Sequence, residues 1–330
     1  MTFTLEHVRP GKVLLAGEPM GLFTADSEGA CSEVDTFDAS VAGAELNVAI
    51  GLKRLGHDPL YLAKLGDDPI GERIVHFMTA NGLDTSLVTT CPGTSTGFMM
   101  KTRVHQGDPQ TYYFRRHSAA STLGADDVRR IDLTGVTTLH LTGILPPLSA
   151  SCQEATFALL DRAHARDMFV SFDPNLRPTL WPNEKTMRSV LRRIASRCDL
   201  ILPGIHEGEV LFGTTSLEDT ARAFLDNGAG CVIVKDGPRG AYATDGAQHI
   251  YVPGCHVDHV VDTVGCGDGF AAGVLSALLE GLDIEEATYR GCMLGAIQTQ
   301  HVSDNEGLPN RTQLAEFRLA QQGIDMELRA

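Results

Sequence analysis

Short runs of aliphatic and β-branched residues recur along the chain, and between them the apolar positions fall at helical spacing. Five runs read as strands, at 13–16, 138–141, 168–173, 200–202 and 231–235. Five intervening segments, 46–55, 70–81, 150–166, 184–197 and 217–227, carry apolar residues three and four apart and read as helices with one buried face. The second of these is punctuated at both ends. Asp68-Pro69 supplies an N-cap followed by a proline at the first helical position, and Asn81-Gly82 supplies the stop. Strand–helix alternation of this kind predicts an α/β fold, a mostly parallel central sheet flanked by helices. Near the C-terminus, helices are expected at 267–281, 284–302 and 311–322.

Two stretches, at about 18–41 and 94–117, break this rhythm. They alternate polar and apolar residues, as in Glu33-Val34-Asp35-Thr36-Phe37 and Gly97-Phe98-Met99-Met100-Lys101-Thr102. A period of two predicts antiparallel strands. The expectation is one domain over residues 1–330 with these two insertions forming a small β-sheet lid. In open α/β sheets, ligands collect at the carboxyl ends of the strands. Polar and glycine clusters stand at those ends: Gly17-Glu18, Thr142-Gly143, 173–177, 203–207 and Asp236-Gly237. They predict one cleft along one sheet edge, which the lid can cover.

Composition removes several classes of function. The 330 residues suffice for a large core in one domain. A net charge of −15 repels a phosphate backbone and excludes nucleic acid as a partner. No run approaches the roughly 20 apolar residues of a membrane helix. The polar N-terminus lacks an apolar signal core, so a cytoplasmic protein is expected. The eight cysteines are scattered without a CxxC pair and read as reduced, mostly buried thiols. Neither a GxxxxGK[ST] P-loop nor a dinucleotide GxGxxG with its downstream acid is present.

The sharpest local feature is Asp262-Thr263-Val264-Gly265-Cys266-Gly267-Asp268-Gly269-Phe270, which runs directly into an apolar helical pattern. A glycine turn opening a helix presents unpaired N–H groups at the positive end of the helix dipole. Gly265 and Gly267 let the backbone approach a ligand closely, and Cys266 between them is small. Such a turn can hold the negative charge that builds up in phosphoryl transfer. Asp268, in the first turn, is placed either to cap the helix or to accept the proton of an attacking hydroxyl; spacing alone leaves both roles open.

The segment DTVGCGDGF resembles the DTxGAGD motif of the ribokinase-like, or PfkB-type, carbohydrate kinases, with Cys266 where alanine is usual. The family's other motif, a glycine turn entering an Asn-Val-Ala helix that ends in Arg-Leu-Gly, is similar to Gly43-Ala44-Glu45-Leu46-Asn47-Val48-Ala49 through Arg54-Leu55-Gly56. The resemblance spans essentially the whole chain and implies a ribokinase-like fold using ATP and Mg2+. By it, Gly265, Cys266 and Gly267 form the anion hole and Asp268 is the base. Gly43 and Asn47 line the sugar pocket. Lys235, Gly237 and Gly240 lie around the nucleotide, together with Asn305. Asp262 sits near the transferred phosphate or its metal. The family's Asn-x-x-Glu element appears here as Gly204-Ile205-His206-Glu207, keeping Glu207 for Mg2+ and replacing the asparagine. Family lids often pair between subunits, which implies a homodimer or higher homo-oligomer.

Substrate choice must come from side chains facing the cleft. Arginine suits two-pronged recognition of a carboxylate, and Arg115 and Arg177 stand in the two relevant segments, 112–120 and 172–181. These segments are similar to those of family members that phosphorylate the sugar acid 2-keto-3-deoxygluconate, with Tyr113, Arg115 and Arg177 at matching positions and Glu18 and Asn175 beside them. A fructokinase or other ketose kinase is the rival within the family. A non-catalytic sugar or nucleotide sensor is the rival outside it.

Overall fold

The computed structural model describes residues 8–104 and 109–329; residues 105–108, inside the second lid insertion, lie outside it, as do the first seven residues and the last one. The chain begins with β1 (Lys12–Ala16), β2 (Met20–Glu28), β3 (Phe37–Ala42) and α1 (Ala44–Arg54). Next come β4 (Pro59–Gly66), α2 (Pro69–Ala80), β5 (Val88–Cys91), β6 (Phe98–Arg103) and β7 (Thr111–Phe114). The middle holds α3 (Ala125–Arg130), β8 (Val136–Thr142), α4 (Ala150–His164), β9 (Phe169–Asp173), α5 (Glu184–Ala195) and β10 (Leu200–Ile201). It continues with α6 (Ile205–Phe212), α7 (Leu217–Asp226), β11 (Cys231–Lys235), β12 (Gly240–Thr244) and β13 (His249–Pro253). Helices α8 (Cys266–Leu279), α9 (Ile284–Gln298) and α10 (Arg311–Arg329) close the described chain.

The main sheet has the order β13-β12-β11-β10-β9-β8-β1-β4-β5. The strands from β11 to β5 run parallel, and β12 and β13 add an antiparallel hairpin at one edge. Alternation along each strand divides the core into two layers. Val13 and Leu15 pack with α1, α8 and α9 on one face. Leu14 and Ala16 pack with α4, α5 and α7 on the other.

All five predicted strands are present. The reading missed β4, whose sequence PLYLAKLG is covered on both faces and so shows neither period cleanly. It also missed the short helices α3 and α6. The predicted helix at 284–302 stops at Gln298. The loop that follows carries Ser303 at φ 116, which no helix accommodates. At α2 the punctuation acts as read: Asp68 accepts from the Gly71 N–H, and Gly82 sits at φ 72.

The two insertions form a separate four-stranded sheet, β3-β2-β6-β7. Its central pair, β2 and β6, is parallel rather than antiparallel as expected. The cause is connectivity: β2 follows β1 and β6 follows β5, two strands that run parallel in the main sheet. Both connections therefore leave from the same carboxyl edge and enter the lid in one direction.

Candidate active site

Where the lid meets the carboxyl ends of the parallel strands, a cavity of about 390 Å³ opens. Its floor is the entrance of α1, the ends of β9 and β11, and the entrance of α8; its roof is Met20, Met99, Thr111 and Tyr113 of the lid. Every residue expected to touch the sugar lines it, and so do Lys235, Glu207, Gly265 and Gly267.

The α8 entrance is built around Gly265, at φ 77. A Cβ there would lie 2.1 Å from the Asp304 carbonyl oxygen, so the position admits only glycine. The Gly269 N–H donates to the Gly265 carbonyl at 2.8 Å and starts the helix, while the Gly267 and Asp268 N–H groups take no backbone carbonyl. Lys235 stands close by: its Nζ would be 3.8 Å from a Cβ on Gly267. The turn thus combines free N–H donors, a helix dipole and an ammonium at one point, which is the equipment of an anion site.

Asp268 projects from the first turn into this space, and Asn47 Nδ2 donates to its Oδ2 at 2.8 Å. Burial pushes the Asp268 carboxyl up to about 8; the Asn47 N–H opposes the shift, and the charges of Asp173, Asp304 and Glu45 add to it. The result is a carboxyl that exchanges its proton near neutral pH, as general-base work requires. Asp304, also buried, is raised to about 6, with Lys101 opposing. Glu45, fully buried in the first turn of α1, is likewise raised by burial to about 6.

Among the described residues, four cationic side chains line the cavity: Lys101, Arg115, Arg177 and Lys235. Lys235 Nζ donates to Asp173 Oδ2 at 2.6 Å. Burial works against its charge, but Asp173 and Glu207 more than restore it and raise its pKa. Lys101, on the lid, donates to Asp262 Oδ2 at 2.8 Å. Arg115, expected to reach a ligand carboxylate, is instead buried against Glu18, donating from Nε to Oε2 at 2.7 Å. Arg177 differs from these three. Its Nη1 donates to the neighbouring Leu176 carbonyl at 2.9 Å, and among the described residues it has no carboxylate partner.

Some expected site residues lie elsewhere. Asn305, expected at the nucleotide, is 3% exposed and turned inward, donating to Asn47 Oδ1 at 3.0 Å. Asp262 is outside the cavity wall, held by Lys101 and by the Val264 N–H. Gly237 and Gly240 lie beyond the cavity, past the end of β11, at φ 59 and 127. Cys266 is part of the turn but does not face the cavity.

A profile described as pfkB family carbohydrate kinase matches residues 12–311. The chain belongs to this family. It is 42% identical over 309 residues to the 2-dehydro-3-deoxygluconokinase of Bacillus subtilis (strain 168), covering 93% of this chain and 95% of that protein. Against the 5-dehydro-2-deoxygluconokinase of Geobacillus thermodenitrificans (strain NG80-2) it is 28% identical, covering 86% of each. The crystal structure of a PfkB protein from Polaromonas sp. JS666 is 41% identical and superposes with a TM-score of 0.84, covering 92% of this chain and 99% of that one.

As in other pfkB carbohydrate kinases, the large sheet and small second sheet compose the ribokinase-like fold expected from the motifs. Among the described residues, six carboxyl groups line the cavity of this carbohydrate kinase (Glu18, Glu45, Asp173, Glu207, Asp268 and Asp304) against the four cations. Among the described residues no group of three or more His, Cys, Asp or Glu forms a metal cage. An acidic excess without a cage fits a hard divalent ion that keeps its water and arrives bound to phosphates. Glu207 lies in the wall, but it also caps α6, accepting from the Gly204 N–H at 2.6 Å and the Leu176 N–H at 3.1 Å. A Cβ on Gly204 would meet nothing nearer than Glu207 Oε2 at 3.8 Å, so the family's asparagine is not kept out by crowding.

Sequence reasoning put Asp173 at the cleft, in the 173–177 cluster, without giving it a role, and missed Lys101, Glu45, Thr111 and Asp304 as cavity residues. Asp304 adjoins Asn305 and could have been found there, because a charged residue within an otherwise buried loop needs a partner or a ligand. Lys101 and Thr111 carried no signal, since the lid's alternation does not say which face looks inward.

Proposed function

We propose that this carbohydrate kinase transfers the γ-phosphate of ATP to the terminal hydroxyl of 2-dehydro-3-deoxy-D-gluconate. The observation that carries this choice is Arg177. Of the four cations around the cavity it alone, among the described residues, has no carboxylate within ion-pair distance, only the longer-range pull of Asp304, so its guanidinium is available for the carboxylate of a sugar acid. The identity with the Bacillus subtilis enzyme over nearly the whole chain supports the same reading.

In this reading Asp268 takes the hydroxyl proton as the oxygen bonds to the γ-phosphorus, and the bond from that phosphorus to the bridging oxygen breaks, releasing ADP. The α8 entrance, Gly265 to Gly267, and Lys235 meet the negative charge on the phosphoryl oxygens. Gly43 and Asn47 hold the sugar from the floor. Tyr113, Asn175 and the Arg115–Glu18 pair hold it from the walls. The loop of Gly237 and Gly240 lies around the nucleotide. Mg2+, carried in with ATP, supplies charge neutralisation at the phosphates, and Glu207 is the carboxylate that would receive it. Asp262 holds the lid through Lys101. With the lid down, water that would compete as acceptor is excluded.

A coupled ADP-release assay across sugar acids and neutral ketoses tests the substrate. Preference for fructose over the keto acid would overturn the choice. Arg177→Met is expected to lower kcat/KM for the sugar acid by about 10- to 100-fold, the worth of one charge-assisted hydrogen bond. Turnover of a neutral ketose should be nearly unaffected. Equal losses on both substrates would remove Arg177 from carboxylate recognition.

The lid's outer face supports a homodimer. Phe98 stacks on Phe114 with centroids 4.7 Å apart and meets Phe23 edge-on at 5.9 Å, yet Phe114 is 50% exposed and Tyr112 44%. An aromatic face and open strand edges of this kind call for a partner, and a second copy supplies a matching one. Light scattering is expected to show a dimer that Phe114→Glu converts to monomer; a monomeric wild type would refute this. The reduced state of the cysteines, none of which is in a disulfide, favours the cytoplasm, and no helix among the described residues is long and apolar enough to cross a membrane.

A further inference from the structure

Three hydrogen bonds link the lid's root to the candidate base. Asn305 Nδ2 donates to the Val41 backbone carbonyl at 3.2 Å and to Asn47 Oδ1 at 3.0 Å. Asn47 Nδ2 then donates to Asp268 Oδ2 at 2.8 Å. Asn305 and Asn47 are 3% and 1% exposed, so water does not compete for their amides. The orientation of an asparagine amide is set by its partners, and here one end of the chain is unambiguous. A backbone carbonyl can only accept. Val41 therefore requires the Asn305 NH2 group to face it. The same NH2 group then requires the oxygen of Asn47, and that leaves the Asn47 NH2 group for Asp268. Reversing Asn47 would set NH2 against NH2 at one end and carbonyl against carboxylate at the other. Asp268 would tolerate that only when protonated.

We propose that Asn305 is a positioning residue for Asp268: by fixing the Asn47 amide it holds an N–H donor on the carboxylate and so favours the proton-accepting form of the base. The inference rests on Asp268 being the base, and it explains why Asn305 is turned away from the cavity. Its loop is fixed in turn by Arg54, whose Nη1 donates to the carbonyls of Asn305 at 2.9 Å and Leu308 at 2.6 Å. The other charged or titratable groups acting on Asp268 come from every side. They are Asp173 at the end of β9, Asp304 in the same loop as Asn305, Glu45 on α1, Lys235 at the end of β11, Tyr61 on β4 and Cys266 on its own helix. None of these contacts Asn305 in the hydrogen bonds described, so replacing Asn305 leaves them in place and isolates the amide's effect.

The experiment follows the Asp268 carboxyl by 13C NMR through a pH titration of full-length protein, with its signal assigned by Asp268→Asn. Asn305→Leu, of similar shape, and Asn305→Ser, smaller and polar, both remove the donor to Asn47. Each is expected to move the titration midpoint upward by about one pH unit. The acid limb of kcat/KM should move with it, giving about a tenfold loss at pH 7 that is recovered above the new midpoint. A purely structural role would lower activity equally at all pH values. An unmoved midpoint in either folded variant overturns the proposal. Because the NMR midpoint needs no turnover, it judges the relay even if Asp268→Asn keeps full activity, the result by which the base assignment itself would fail.

Discussion

Asp268→Asn is expected to reduce kcat by at least ~10²-fold, the usual scale for removing a general base. The substitution keeps shape and can still accept the Asn47 N–H, so the loss reports proton transfer rather than collapse of the pocket. The pH behaviour follows from the same environment. With the carboxyl raised to about 8 by burial, the free protein holds a proton on Asp268 below that pH. Wild-type kcat/KM should therefore climb about tenfold per pH unit up to about 8 and then level, and the Asn variant should lack this limb.

Stability runs the opposite way. A raised carboxyl binds its proton more tightly when folded than when unfolded, so its contribution is complete below the unfolded pKa and is lost as pH rises through about 8. Asparagine never ionises and escapes that loss. The variant should thus melt at a higher temperature than wild type, by at least ~2 °C above pH 8, with the gap closing toward pH 4. A variant that is inactive but no more stable at high pH would show that Asp268 is not held against its own charge.

The second large effect is expected at Gly265. An alanine there places a Cβ 2.1 Å from the Asp304 carbonyl oxygen, at a φ of 77 that non-glycine residues adopt only at a cost. Relief requires either the α8 entrance or the Asp304 loop to move, and both belong to the cavity wall. Displacement of catalytic groups by about 1 Å can cost on the order of 10²-fold in rate, and a kcat loss of that size is expected, with a lower Tm. Gly267→Ala is the control. Its Cβ meets only Lys235 Nζ, at 3.8 Å, so the fold tolerates it and any loss of rate reports crowding of the bound phosphate. Near wild-type turnover in Gly265→Ala would mean that the turn does not hold the transferring group.

Much of this arrangement was legible in the chain itself. Strands and helices announce themselves where one face is buried, because the period of apolar residues then records which way the backbone turns. The glycine turn before α8 was equally plain, since its requirement is local: a left-handed residue, a small neighbour and a helix start within a few positions. Sequence also placed Arg177 and Glu207 at one cleft, by putting polar residues at the ends of strands that had to be parallel, while Asp268 was read from the glycine turn and the motif it resembles.

What remained hidden were the pairings between distant segments. Nothing in the sequence distinguished Arg115 from Arg177. Only the fold brings Glu18 to Arg115, 97 positions away, and leaves Arg177 with no carboxylate within ion-pair distance among the described residues. The parallel pairing of β2 and β6, the lid contact of Lys101 with Asp262, and the inward turn of Asn305 are decisions of the same kind. A side chain's role depends on which charges and donors surround it in three dimensions, and its neighbours in sequence carry little of that information. The chain determined its elements and its chemical inventory; packing decided which groups neutralise one another and which are left to meet a ligand.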